Sequence, residues 1–227
     1  MIHGDGDWQA VEGVLTKDIA TIGKYLQTWK LKLTTTKTVS TAFHLNNNEA
    51  KRELKVKYKN ETLPFCSEPT YLGVTLDRSL TYRRHLESLR KKLTSRFALL
   101  RRLAGSGWGA GATTLRIATI ALVHSTSEYC APVWCRSDHT RLIEATINDA
   151  LRIVTGCPCH TPVDNLPILE GIQLAEPRRI GATLSLAQRA MEPGHLLHSA
   201  HASSECRRTA LQIETPICAR HTSHQFI

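Results

Sequence analysis

Residues 70–93 read "TYLGVTLDRSLTYRRHLESLRKKL", and this segment changes within a few positions from an apolar, glycine-bearing run to a strongly basic pattern. The run up to Asp77 is typical of a β-strand, and Gly73 inside it marks a close backbone approach or a bulge. After Asp77, apolar residues recur every three or four positions, as in an amphipathic helix. These residues are Leu86, Leu89, Leu93, Phe97, Leu100 and Leu103. The segment therefore predicts a strand that leads directly into a cationic helix.

Positive charge is concentrated in this predicted helix. The chain of 227 residues carries a net charge of +9. Between Arg78 and Arg102, nine basic residues stand against the single acid Glu87, so this window holds a net +8 and the rest about +1. Such an excess favours a polyanionic partner, although net charge says nothing about the fold.

The distribution of apolar residues argues against a secreted or membrane protein. The N-terminal "MIHGDGDWQA" lacks the apolar core of a signal peptide, and the apolar stretch "IATIALV" is far shorter than the roughly 20 residues of a membrane span. Seven cysteines at irregular spacing are typical of reduced thiols in an intracellular chain. We therefore expect a soluble nuclear or cytoplasmic protein without a membrane partner.

A second amphipathic helix and a small set of strands precede this segment. From Trp8 to Trp29, apolar residues recur in steps of three and four, and Asp5 or Asp7 can cap the first turn. The period then changes to the alternation of strands, at Val39, Thr41 and Phe43 and again at Leu54, Val56 and Tyr58. The polar "YKNET" at 58–62 is typical of a hairpin connection between antiparallel strands.

After the basic helix, the glycine cluster "GSGWGAG" at 105–111 predicts a boundary, and three further helices follow it. They are expected over 113–129, over 138–155 with Gly156 as the stop, and over 176–191 with Pro177 in the first turn. From about residue 193 the pattern fades into a polar tail. The predicted fold class is α+β, with an amphipathic helix and a small antiparallel sheet followed by a mostly helical region.

Several stretches, taken in order and spacing, resemble one family. They are "YLQTWKLKLTTTKT", a strand ending in "FH", a hairpin, "YLGVTLD", the basic helix and "SEYCAPVW". Together they are similar to the reverse transcriptases of non-LTR retrotransposons, most closely the jockey-like elements, over roughly residues 7–191. The resemblance implies the end of the polymerase palm over 1–77, a basic thumb helix over 78–104 and a helical C-terminal region over 112–192. The polar pattern beyond it predicts a disordered tail over 193–227.

The resemblance implies an accessory catalytic role for Lys37. The helix ending at Trp29 and the strand carrying Lys37 look like polymerase motif D, in which a lysine near the incoming nucleotide neutralises phosphate charge and can give a proton to pyrophosphate. The family's usual Leu-Asn pair before this lysine reads Leu33-Thr34 here, which changes the loop that holds it. The alternative is an exposed lysine at the end of a strand.

"YLGVTLD" looks like motif E, the primer grip, in which a tight hairpin presses against the primer end. This resemblance assigns Tyr71, Leu72, Gly73 and Val74 to the grip, and Gly73 fits because a residue without Cβ allows another backbone to approach. The alternative is an ordinary sheet glycine at a bulge. Independently of function, we expect the side chains of Tyr71, Leu72, Val74 and Leu76 to belong to the sheet core.

A thumb that follows the primer grip would lie along the template and primer backbones, and a strand leading into a basic helix matches that transition. We expect phosphate contacts from one side of the helix while its leucines pack inward. The predicted contacts are Arg83, Arg84, Arg90, Lys91 and Arg96. The alternative is a basic face that is merely solvated.

Metal-binding carboxylates are not recognisable in the sequence. Two-metal nucleotide transfer needs an aspartate pair, and no adjacent pair of aspartates occurs in the chain, which we expect to begin just after that pair. No metal ligand or cofactor is therefore predicted, and Mg²⁺ is expected only for a complete polymerase. A D-x-D site at Asp5 and Asp7 is a weaker alternative to helix capping.

A zinc site is the other metal hypothesis. It would use Cys157, Cys159 and His160, together with Cys130 and Cys135, but their spacing lacks a paired C-x-x-C frame. Scattered thiols are the alternative.

The sequence therefore favours part of an RNA-directed DNA polymerase that binds RNA, DNA or an RNA–DNA hybrid and is inactive alone. Two alternatives stay open. One is a stand-alone basic nucleic-acid-binding protein derived from such an element, and the other is an interaction module built from the helices after Thr113.

Overall fold

The computed structural model describes residues 8–44, 52–105 and 109–198. Asp5, Asp7, the middle of the glycine cluster and the tail beyond residue 198 lie outside the described residues. The N-terminal part holds α1 (Trp8–Thr28), β1 (Lys57–Tyr58), β2 (Glu61–Thr62), β3 (Thr70–Tyr71) and β4 (Val74–Thr75). The remaining elements are α2 (Arg83–Leu103), α3 (Ala112–Thr119), a π-helix (Ile120–His124), α4 (Ser125–Ser127), α5 (Ala131–Trp134), α6 (Arg141–Thr155), a 3₁₀ turn (Val163–Asn165), α7 (Leu166–Glu170) and α8 (Ala175–Ala190).

A small core forms between α1 and the segment that leads into β1. Leu54, Val56 and Tyr58 are buried while the lysines between them are exposed, so the predicted alternation is confirmed. Residues Trp8, Leu15 and Ile19 of α1 pack against this row, whereas Ile22 and Trp29 of the predicted stripe are exposed.

This segment is held in extended form mainly by α1. The backbone N–H groups of Lys55 and Lys57 donate to Glu12 Oε1 at 3.1 Å and to Thr16 Oγ1 at 3.4 Å. Side chains of the helix therefore satisfy backbone donors that another strand would otherwise use.

The prediction of a strand around Val39, Thr41 and Phe43 is wrong. Only one parallel bridge forms there, between Ser40 and Phe65. In it, Ser40 N donates to the carbonyl of Pro64 and Cys66 N donates to that of Ser40, each at 2.9 Å. Pro64 has no N–H group with which to extend the ladder toward Thr38, so the pairing stops after one residue.

Both hairpins have two-residue turns of the type that favours right-handed strand twist. β1 pairs antiparallel with β2 around Lys59 and Asn60, as "YKNET" predicts. β3 pairs antiparallel with β4 around Leu72 and Gly73, so the prediction of a single strand up to Asp77 is wrong. All four turn residues have positive φ, which is the signature of a type I′ turn.

The helical region has its own larger core, formed mainly between α2 and α6. Most of the predicted apolar stripe faces inward: Leu86, Leu93 and Leu100 are fully buried, Leu89 nearly so and Phe97 partly, whereas Leu103 at the end of the helix is 44% exposed. Trp134, Ile143 and Ile147 complete the centre of this core.

The predicted α+β class with a mostly helical C-terminal region is confirmed. The helix expected over 113–129 is present from Ala112 to Ser127, but a π-helical segment interrupts it, and α5 and α7 were not predicted. α6 begins at Arg141, three residues later than expected. It ends just before Gly156, as predicted, and Gly156 adopts the left-handed conformation. No helix in the described part of the chain is long and apolar enough to cross a membrane.

Candidate nucleic-acid interface

One exposed face of α2 carries most of its positive charge. An α-helix turns about 100° per residue, so its six best-aligned basic residues lie within about one third of the circumference. They are Arg83, Arg84, Arg90, Lys91, Arg101 and Arg102, and all are exposed. We call this set the basic face. Because α2 has 21 residues, the basic face extends for about 30 Å.

Among the described residues, acidic side chains contact the basic face only in its first turns. Arg83 pairs with Glu87 at 3.1 Å, and Arg84 lies 3.3 Å from Glu68 and 3.9 Å from Glu87. Arg90 and Lys91 form no ion pair with any residue that the structure describes. The centre of the basic face is therefore uncompensated positive charge that points toward solvent.

Arg96 differs from the other four predicted phosphate contacts. It is half-buried on the opposite flank of α2, and its Nη1 donates to the carbonyl of Leu122 at 3.1 Å. Leu122 lies in the π-helix, where the ordinary i to i−4 bonding is interrupted. The geometry thus gives Arg96 a protein acceptor within the fold.

The hairpin tip between β3 and β4 holds the predicted primer grip. Val74 is buried, as expected, but the prediction that Tyr71 and Leu72 belong to the sheet core is wrong, because they are 68% and 70% exposed. The reason is that a two-strand hairpin with a two-residue turn covers only one of its faces, and the turn itself projects beyond the strands.

The backbone conformation of the turn favours glycine at position 73. The φ of Gly73 is +81°, which L-residues with a side chain rarely adopt, and an added Cβ would lie in ordinary van der Waals contact with Cε1 of Tyr129, at 3.4 Å. The Tyr129 hydroxyl donates to the carbonyl of Leu72 at 2.8 Å. The stretches "YLGVTLD" and "SEYCAPVW" therefore meet in the fold.

Glu128, the residue before Tyr129, joins this stretch to α8. Its carboxylate accepts hydrogen bonds from Nε and Nη2 of Arg178, the latter at 2.9 Å, and from Nδ1 of the buried His124 at 3.2 Å. Burial raises the pKa of Glu128, but the hydrogen bonds and charges of His124 and Arg178 outweigh it and lower the pKa to about 2.

Asp77, the last residue of "YLGVTLD", organises the loop before α2. Its carboxylate accepts hydrogen bonds from Thr81 N, Thr81 Oγ1 and Tyr82 N at 2.6–2.9 Å. Burial raises the pKa of Asp77, but these hydrogen bonds outweigh it, so the pKa lies below its ordinary value. Because Tyr82 is the N-cap of α2, Asp77 links the hairpin to the start of the basic helix.

Sequence patterns alone assigned no role to Tyr129, Glu128 or Asp77. The available signal was their position inside "SEYCAPVW" and "YLGVTLD", which resemble the family as strings without showing what each side chain contacts.

Lys37 lies in a turn, so the prediction that a strand carries it is wrong. Its backbone N–H and that of Thr38 both donate to the carbonyl of Thr34, at 3.2 and 3.1 Å, and the Lys37 side chain is exposed. Because Thr34 accepts both bonds through its main-chain carbonyl, they do not depend on the side chain at this position.

The described residues contain no group of three or more His, Cys, Asp or Glu side chains that could hold a metal ion. They therefore do not fit a two-metal centre or the zinc site considered for Cys157, Cys159 and His160. Cys66, Cys130, Cys135, Cys157 and Cys159 are all free thiols.

The chain matches three curated relatives, all of them proteins of retrotransposable elements or transposons. It is 30% identical over 122 residues to a retrovirus-related Pol polyprotein from a type-1 retrotransposable element R1 of Nasonia vitripennis, covering 53% of this chain and 31% of the relative. It is 27% identical over 156 residues to a probable RNA-directed DNA polymerase from transposon BS of Drosophila melanogaster, covering 64% of this chain and 16% of the relative.

The third relative is a putative 115 kDa protein in the type-1 retrotransposable element R1DM of Drosophila melanogaster, which is 27% identical over 125 residues. The matched regions cover 53% of this chain and 12% of that relative. The chain thus spans less than a third of the length of each relative. No protein-family model and no solved structure matches it. The resemblance is nevertheless confirmed: the chain is similar to part of the polymerase proteins of non-LTR retrotransposons.

Proposed function

We propose that the chain is the template–primer-binding part of a non-LTR retrotransposon reverse transcriptase, and that it binds an RNA–DNA hybrid through the basic face of α2. The observation that carries the proposal is the uncompensated pair Arg90 and Lys91 at the centre of that face. Lysine and arginine side chains aimed at solvent from a rigid helix are suited to phosphate oxygens, which give affinity without sequence preference.

The charge distribution along α2 supports the proposal. Arg83 and Arg84 lie in the first turn, where the helix dipole disfavours cations by roughly 0.3–1 kcal/mol each. Their presence there is unfavourable for helix stability, but it suits an anionic ligand at the same end. A B-form duplex carries about 18 phosphate charges over the roughly 30 Å that the basic face spans.

We propose further that the chain does not transfer nucleotides by itself. The support is the absence of an adjacent aspartate pair from the whole sequence. The test is an incorporation assay with Mg²⁺ and a primed RNA template, in which we expect no extension of the primer. Extension by the purified chain would contradict this part of the proposal.

The binding proposal is tested with the double variant Arg90→Glu and Lys91→Glu. Affinity for a hybrid duplex is measured by fluorescence anisotropy over a series of salt concentrations. Because each lost phosphate contact lowers the slope of log affinity against log salt by roughly 0.7–0.9, we expect a slope reduced by about 1.4–1.8 and weaker binding at low salt.

The matched control is Lys17→Glu and Lys24→Glu, which changes the net charge by the same amount at two exposed positions of α1. We expect a clearly smaller loss of affinity in this control. Equal losses in the two variants would show that only net charge matters, and unchanged binding by the α2 variant would exclude the basic face as the interface.

A further inference from the structure

We propose that Tyr129 is a positioning residue for the proposed interface: its hydroxyl and ring fix the tip of the β3–β4 hairpin relative to the basic face. The inference rests on the proposed function, because the tip matters only if the chain binds nucleic acid. Tyr129 lies 57 positions after Leu72 in the chain, and it touches the tip from the helical region.

The hairpin tip cannot define its own position well. Each strand contributes only two residues, and the turn places Leu72 at φ +48° and Gly73 at φ +81°. An isolated hairpin of this size is marginal in water, and leucine is disfavoured in the left-handed region. The observed geometry therefore needs contacts from outside the hairpin.

Tyr129 supplies such contacts at the turn itself. Its hydroxyl donates to the Leu72 carbonyl at 2.8 Å, and its ring lies so close to Gly73 that a Cβ there would be in van der Waals contact with it. The bond is made at the carbonyl between the two residues of positive φ, so it restrains the least stable part of the hairpin.

Tyr129 is in turn held by the helical core. Its carbonyl accepts a hydrogen bond from Nε1 of the fully buried Trp134 at 3.0 Å. Its neighbour Glu128 is bound by Arg178 and His124. Because Tyr129 is anchored in this way, it can hold the turn in a fixed position relative to the helical core.

The other end of the hairpin is attached to the start of α2. Thr75 N donates to Nδ1 of His85 at 3.4 Å, and Glu68, just before β3, pairs with Arg84. The hairpin is thus fixed to the basic helix at its base and to Tyr129 at its tip. The positions of the exposed Tyr71 and Leu72 relative to the basic face are therefore fixed.

An exposed aromatic and an exposed leucine can contact the flat face of a terminal base pair, which the interior of a duplex does not offer. The test therefore compares two hybrid duplexes of equal length, one with open ends and one closed by a hairpin loop at each end. Binding to both is measured over a salt series for the wild-type chain, for Tyr129→Phe and for the control Tyr25→Phe. Tyr25 is exposed on α1, and its hydroxyl bonds to no described residue.

We expect the wild type and Tyr25→Phe to prefer the open duplex. Tyr129→Phe should lose about fivefold in affinity for the open duplex alone, with an unchanged salt slope on both, since it keeps the basic face and loses one hydrogen bond. Hydrogen exchange of the peptide covering residues 70–76 should be faster in Tyr129→Phe and unchanged in Tyr25→Phe.

An unchanged preference in Tyr129→Phe would overturn the inference, as would equal losses on both duplexes, which indicate a general loss of structure. No preference in the wild type, with salt-dependent binding retained, overturns the inference but leaves the proposed function standing. Absence of salt-dependent binding by the wild type would overturn both.

Discussion

Two glycines of α1 show how strongly the effect of a residue depends on what it touches. Gly13 is exposed, and an added Cβ there would meet no atom within 4 Å. Gly23 is the buried residue of the helix, and a Cβ built on it would overlap the hydroxyl end of the Tyr58 ring. The bare backbone at Gly23 therefore lets the Tyr58 ring pack directly on the helix.

The two positions should respond oppositely to alanine. Gly13→Ala should raise the free energy of unfolding by about 0.5–1 kcal/mol, because alanine loses less backbone entropy in a helix. Gly23→Ala gains the same amount, but overpacking against the buried Tyr58 ring costs about 1–3 kcal/mol, so we expect a net loss of up to about 2.5 kcal/mol. Urea denaturation of both variants measures the difference. Similar stabilisation of both would show that Tyr58 can move away from α1 without cost.

At the scale of the element, the two sides of α2 have different surroundings. Its buried leucines pack on α6 while its basic face is open to solvent, and Arg96 lies outside the basic face. An arginine of α2 thus faces solvent or a protein acceptor according to the side of the helix on which it lies. On the flank toward the π-helix, a backbone carbonyl is the acceptor that the fold provides.

This difference predicts the behaviour of Arg96→Met, which keeps an apolar stem and removes the donor. We expect the free energy of unfolding to fall by about 1 kcal/mol, because Leu122 loses one hydrogen-bond donor, while the salt slope of hybrid binding stays the same. The control is Lys92→Met, an exposed residue of α2 outside the basic face, whose stability should change little. A salt slope lowered by roughly 0.7–0.9 in Arg96→Met would instead identify Arg96 as a phosphate contact.

At the scale of the whole molecule, one ion pair joins parts of the helical region that lie far apart in sequence. Glu128 and Arg178 are 50 positions apart, and both are about three-quarters buried. Because the pKa of Glu128 falls from an ordinary value of 4.5 to about 2 on folding, the ionised carboxylate stabilises the folded chain. This contribution is fully present above about pH 5 and is lost as the pH falls from there toward 2.

Glu128→Gln should therefore lower the free energy of unfolding at pH 7 by about 2 kcal/mol, because it leaves Arg178 and His124 without their anionic partner. The difference from the wild type should shrink as the pH is lowered toward 3. Urea midpoints at several pH values measure it, with Glu53→Gln, an exposed residue without an ion pair to any described residue, as the control. A difference that does not depend on pH would contradict the assigned cause.

Local patterns in the sequence determined the α+β class, the buried leucines of α2, the hairpin around Lys59 and Asn60 and the concentration of charge on one helix. These follow from periodicity and from turn chemistry, which act over a few residues. The tertiary structure decided the rest: the bond of Arg96 to the π-helix, the bond of Tyr129 to the hairpin tip and the bond of Glu128 to Arg178. The physical reason is that these depend on partners 26 to 57 positions away, and no local period contains that information.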